Sequence, residues 1–144
     1  MIRFFIDNVE GARAYRFPYR FKKQCREWLC GVAHDENKTI KSLNIILTTD
    51  KELLSINRQY LQHNDLTDII TFDCSASDRL EGELYISLDR ITENAITYSQ
   101  TPEQELRRII VHGLLHLCGY SDKTEKEKIQ MTEKENYYLT EKLK

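Results

Sequence analysis

Val111-His112-Gly113-Leu114-Leu115-His116-Leu117-Cys118-Gly119-Tyr120-Ser121-Asp122 is the stretch on which the reading of this chain turns. Its two histidines stand at i and i+4. On a helix advancing about 100° per residue they lie only ~40° apart, so both imidazoles can meet one ion. Leu106, Ile109, Ile110 and Leu117 form one apolar stripe, and Val111, Leu114 and Leu115 cover most of the opposite side. The spacing therefore predicts a long helix, from about Pro102 to Cys118, that is buried nearly all round with the histidine pair as its polar interruption. Gly119 then permits the positive φ that ends a helix, and the reversal can bring Asp122 back over the histidine face.

The elements on either side follow from the same periodicities. Pro102 suits a helix's first turn, and Thr124 with Glu127 makes a capping box for a last helix running to about Leu143. A helical pattern also runs from about Asp89 to Ser99. Upstream, Ile2 to Ile6 reads as a short strand, and Phe21, Cys25, Trp28 and Leu29 give helical spacing from Tyr19 to Ala33. Leu43 to Thr49 reads as a second strand, and Thr49-Asp50 supplies N-cap chemistry for a helix carrying Leu53, Leu54, Ile56 and Tyr60. Asp68 to Phe72 and Glu83 to Ser87 read as two more strands, joined through the polar stretch Ser75 to Gly82 as a loose hairpin. The expected fold is α+β, close to α/β: one domain over residues 1–144 with a four-stranded sheet packed against helices.

Composition agrees with a globular chain. Hydrophobic residues make up 40% and charged residues 31% of 144, with five Gly and two Pro, so there is no sign of a disordered or fibrous segment. No stretch approaches the ~18 apolar residues of a membrane span, and the apolar N-terminus is too short for the h-region of a signal peptide. A cytoplasmic protein without membrane contact is expected. The four cysteines show no CxxC spacing and are expected to be buried free thiols. Net charge is −2, which excludes a global bias toward polyanions.

Histidine nitrogen and carboxylate oxygen suit a borderline divalent cation, zinc above all. Three protein ligands, His112, His116 and Asp122, leave a coordination position open for water, the mark of a catalytic rather than a structural site. Histidine, His+4, Gly+7 and a ligand at +10 follow the order of the metzincin motif with Asp in the third place. A zincin protease carries Glu directly after its first histidine as general base; here Gly113 stands there, which argues against a peptidase. Gly113 is expected to let a substrate or another backbone approach the metal closely.

These residues resemble the YbeY family of bacterial metal-dependent endoribonucleases, whose signature is His-Gly-x-Leu-His-Leu-x-Gly-Tyr-Asp-His. Leu54-Ser55-Ile56-Asn57 through Thr67-Asp68-Ile69-Ile70-Thr71-Phe72 is similar to the family's Asn…Thr-Asp-Val-Leu-Ser-Phe block, and Gly82-Glu83-Leu84-Tyr85-Ile86-Ser87 resembles its Gly-Asp-Ile-x-Ile-Ser strand. The resemblance implies a mixed sheet flanked by helices and metal-dependent cleavage of single-stranded RNA. It also implies a part in ribosomal RNA maturation and quality control, with the small ribosomal subunit as partner. Two positions depart from the pattern. The family's usual third histidine ligand is Asp122 here, which changes a nitrogen donor to oxygen. A family arginine falls on Leu61, so no catalytic side chain is identified beyond water on the metal.

Residues 11 to 26 carry six basic side chains, Arg13, Arg16, Arg20, Lys22, Lys23 and Arg26, and no acidic one. They interleave with Tyr15, Phe17, Tyr19 and Phe21, a composition that can hold phosphates and stack unpaired bases. The alternative is a solvated loop pinned to the core by its aromatics. Glu105 shares the face of His112 two turns earlier and is a candidate acceptor for an imidazole N–H, weighed against a plain helix-start carboxylate. His63 reads as a surface histidine. Two other functions stay open: an RNA- or ribosome-binding protein with a structural metal and little or no nuclease activity, and a metal-dependent hydrolase of another substrate.

Overall fold

A computed structural model describes residues 1–7, 15–61 and 67–143. The elements run β1 (Ile2–Ile6), α1 (Tyr19–Asp35), β2 (Thr39–Thr48), α2 (Asp50–Ile56), β3 (Ile69–Asp73), β4 (Arg79–Ser87), α3 (Leu88–Thr97), α4 (Pro102–Leu117) and α5 (Glu125–Tyr137). A π-helical turn, Asn57–Leu61, continues α2, and another, Tyr138–Lys142, continues α5. The helix starts are written in side chains. Thr49, Ser87, Thr101 and Thr124 each accept a backbone N–H of the first turn, and Thr101 with Gln104 and Thr124 with Glu127 close reciprocal capping boxes. Pro18 opens α1 without a side-chain cap.

The strands form one sheet in the order β1-β2-β4-β3. β1 pairs with β2 and β2 with β4 in parallel, while β3 runs antiparallel on β4, so the sheet is mixed as the family resemblance implied. Alternation places Leu43, Ile45 and Leu47 of β2 beside Leu80, Leu84 and Ile86 of β4 on one face, all buried. Phe21, Cys25, Trp28, Leu29 and Val32 of α1 and Leu106, Ile109, Ile110, Leu114 and Leu117 of α4 join them in one core. Each such side chain contributes ~1.5–3 kcal/mol by leaving water. On the other face Leu53 and Ile70 are buried apart from that core, and the rings of Tyr60, Phe72 and Tyr85 meet edge to face.

Several boundaries differ from the sequence expectation. β4 starts at Arg79, because the polar stretch before Gly82 is a tight reversal: Ala76 and Arg79 pair across Ser77, whose φ is 55°. α3 stops at Thr97, two residues early, and Ser99 follows in the left-handed region. Gly113 faces the sheet. A Cβ there would come within 2.8 Å of Ile69 Cδ1 and Leu84 Cδ2, so the glycine lets α4 lie close on β3 and β4. All four cysteines are free; Cys25 is buried and Cys118 half-buried, but Cys30 and Cys74 are exposed, contrary to the expectation of buried thiols.

Candidate metal centre

α4 ends in the way its sequence requires. Gly119 takes φ +107°, its N–H donates to the carbonyl of His116 at 3.0 Å, and the N–H of Tyr120 donates to that of Leu115 at 3.0 Å. This is a Schellman termination with glycine at C′. The chain turns back at once, and Asp122 returns to the histidine face. Its Oδ2 lies 3.2 Å from His112 Nε2 and 3.4 Å from His116 Nε2, and the two Nε2 atoms are 3.0 Å apart.

The opposite nitrogens of the two rings decide what that triangle can hold. His116 Nδ1 lies 2.9 Å from the carbonyl of Tyr120; a carbonyl only accepts, so Nδ1 carries the proton. His112 Nδ1 donates to Glu135 Oε2 at 2.6 Å. In the neutral imidazoles both Nε2 lone pairs then point into the same gap, beside a carboxylate oxygen. Only a positive charge between them, a proton or a metal, makes the contact attractive. With bonds of ~2.0–2.1 Å, adjacent ligands of a tetrahedral zinc stand roughly 3.3–3.4 Å apart, close to the three separations found here. The donor set fits a borderline divalent cation, and among the described residues it is the one His/Cys/Asp/Glu cluster that does.

Glu135, on α5, was not legible as part of the site. It is 7% exposed, and its other oxygen accepts from Arg108 Nη1 at 3.0 Å. Glu105 is also buried, but the acceptor for His112 Nδ1 is Glu135 and not Glu105. Burial alone would lower the His112 pKa; the hydrogen bond and charge of Glu135, with Asp122 and Asp68, outweigh it and hold the imidazole above its usual value. Burial pushes the Asp68 carboxyl up, against the pull of His112.

A second support stands behind the ligand loop. The Tyr120 hydroxyl donates to Glu36 Oε1 at 2.7 Å, while Lys134 Nζ (3.2 Å) and the Tyr138 hydroxyl donate to Glu36 Oε2. Glu36 caps the end of α1, so this carboxylate ties α1 and α5 to the loop between His116 and Asp122. Trp28 Nε1 donates to the carbonyl of Tyr138 at 3.0 Å and fixes the same corner.

The three candidate ligands line a cleft of about 630 Å³. The same cleft is lined by Asn57 and Leu61 of the π-turn after α2, by Thr67 and Asp68 just before β3, and by Thr71 and Asp73 on it. Leu61 thus lines the cleft, 44% exposed. His63 and Arg13 lie outside the described residues. None of the other basic side chains of the 11–26 segment lines the cleft. Arg16, Arg20 and Lys23 are exposed and Lys22 partly so; Arg26 is half-buried, its Nε donating to the carbonyl of Ile2 at 3.1 Å with its guanidinium 5.2 Å over Phe4. Phe17 and Phe21 are spent on packing with Phe4, which leaves Tyr19, 76% exposed, as the aromatic of that segment open to a base.

The family model described as Endoribonuclease YbeY matches residues 8–142. An "Endoribonuclease YbeY" of Bacteroides thetaiotaomicron is 46% identical over 86% of this chain and 90% of its own. One of Flavobacterium psychrophilum is 42% identical over 85% and 92%. A protein of Thermotoga maritima with a solution structure is similar in fold, with a TM-score of 0.67 and 28% identity, covering 99% of this chain and 89% of that one.

Proposed function

The chain belongs to the YbeY endoribonuclease family, and from that membership we propose that it is a metal-dependent, single-strand-specific endoribonuclease. Residues 1–144 act as one hydrolase domain in the cytoplasm, and the substrate is ribosomal RNA, met with the small ribosomal subunit. The observation that carries the reading is the pair of imidazole lone pairs and the Asp122 carboxylate converging on one gap at the wall of an open cleft. His112, His116 and Asp122 hold the cation, most simply zinc.

When bound, such a cation supplies Lewis acidity toward a phosphodiester oxygen and lowers the pKa of water toward ~7. The chain's own contribution is orientation. The carbonyl of Tyr120 and the Glu135 carboxylate fix both rings with Nδ1 protonated, so Nε2 is always the free donor atom. The Glu135 charge also makes His112 the more electron-rich ligand. No glutamate follows His112, since Gly113 is packed on the sheet, so the site lacks the general base of the zincin peptidases.

The test is metal content and cleavage of a single-stranded RNA by wild type and His116→Ala. Stoichiometric zinc and cleavage in the wild type, both lost in the variant, is the expected outcome; cleavage that ignores the substitution overturns the assignment. Leu61 on the cleft wall favours a second reading, an RNA- or ribosome-binding protein whose metal is structural. That reading requires RNA binding by the folded His116→Ala protein and no cleavage by the wild type.

A further inference from the structure

The cleft that holds the candidate ligands is acidic. Asp68, Asp73 and Asp122 line it, and Leu61 contributes no charge. A phosphodiester entering there meets three carboxylates, and among the described lining residues the side chain of opposite sign is Lys123, directly after Asp122. We propose that Lys123 is the phosphate-contacting residue of this site, supplying from the ligand loop the cation that the Leu61 wall lacks. The proposal rests on the nuclease reading.

The local structure suits the role. Thr124 and Glu127 close the capping box of α5, so the main chain directly after Lys123 is held at the helix start. The ammonium itself is in no ion pair among the described residues, and the exposed side chain lines the cleft. A lysine is a compact charge with three donors on a flexible stem, suited to following a phosphate whose position is set by other contacts. The basic side chains of residues 15–26 cannot substitute for it, because none lines the cleft.

The experiment uses the full chain loaded with zinc and a fluorescent single-stranded oligoribonucleotide. Lys123→Gln is expected to lower kcat/KM roughly 10- to 100-fold, the worth of one charge-assisted hydrogen bond, with metal content and Tm unchanged. The slope of log KM against log salt should fall by about one phosphate contact. Lys123→Arg should keep most of the activity, and Leu61→Arg added to Lys123→Gln should recover part of it. Unchanged kcat/KM and salt slope in Lys123→Gln overturns the proposal, as does loss of zinc in that variant, which would place the lysine's effect on Asp122. A zinc-loaded wild type that leaves the RNA intact overturns the nuclease reading itself.

Discussion

His112 and His116 are alike in sequence but not in what stands behind them. One ring donates to a buried carboxylate, the other to a backbone carbonyl. A substitution can reach the first support and not the second. Glu135→Gln keeps an acceptor but removes its charge, and zinc affinity, read by competition with a chromophoric chelator, is expected to fall roughly 10- to 100-fold. Asp122→His should retain the metal, whereas Asp122→Ala leaves two protein ligands and should release it to the same chelator. Glu36 gives the pH-dependent case. Burial alone would raise its pKa, but the hydroxyls of Tyr138 and Tyr120 and the ammonium of Lys134 bring the carboxyl below its ordinary 4.5. A lowered folded-state pKa means stability that is present above ~4.5 and is lost as pH falls through the folded value. Urea melts between pH 7 and 3 should therefore show a shallower acid decline in Glu36→Gln, starting from a lower neutral plateau.

Among the elements, α4, β3 and β4 approach closely at two glycines. A Cβ on Gly82 would lie 2.5 Å from the Phe72 carbonyl, which is strand backbone, while one on Gly113 would meet the ends of Ile69 and Leu84 side chains. Gly113→Ala is expected to cost about 1–3 kcal/mol by overpacking and Gly82→Ala more, because β3 itself must move; equilibrium urea unfolding ranks them. Elements of this kind were legible where apolar residues recur at a regular spacing. Alternation in β2 and the i, i+3, i+4 repeat of α1 and α4 report a single core, and the site's Gly119 and Asp122 follow from the helix end. What stayed hidden has physical causes. Only Met131 and Glu135 of α5 are buried before Tyr138, so a helix that is polar nearly all round gave no sign that one of its carboxylates is a support for His112. Glu36 meets Tyr120 and Tyr138 across 84 and 102 residues, contacts that no local pattern encodes. Ser75 to Gly82 read as a loop because its side chains are polar, yet the backbone from Arg79 onward pairs with β2.

For the molecule as a whole, the metal and the fold are linked, because an unfolded chain offers no such triangle of donors. Zinc at 100 times its Kd should add about 2.7 kcal/mol to unfolding free energy, so chelation is expected to lower Tm and re-addition to restore it. A Tm indifferent to both would mean that the site is not closed in the folded protein. The hydrogen bond from Trp28 to Tyr138 joins residues 110 apart, Glu135 bonds His112, and Glu36, from far earlier in the sequence, bonds Tyr120 in the loop before Asp122. Chains grow from the N-terminus, and their early segments fold first. His112, His116 and Asp122 thus leave synthesis before the helix that orients His112 exists, and a chain stopped at Lys123 should bind zinc poorly even where its sheet has formed. The ring of His112 is thus set in place only when α5 packs against α4, so the order in which the donors are made is not the order in which they are fixed.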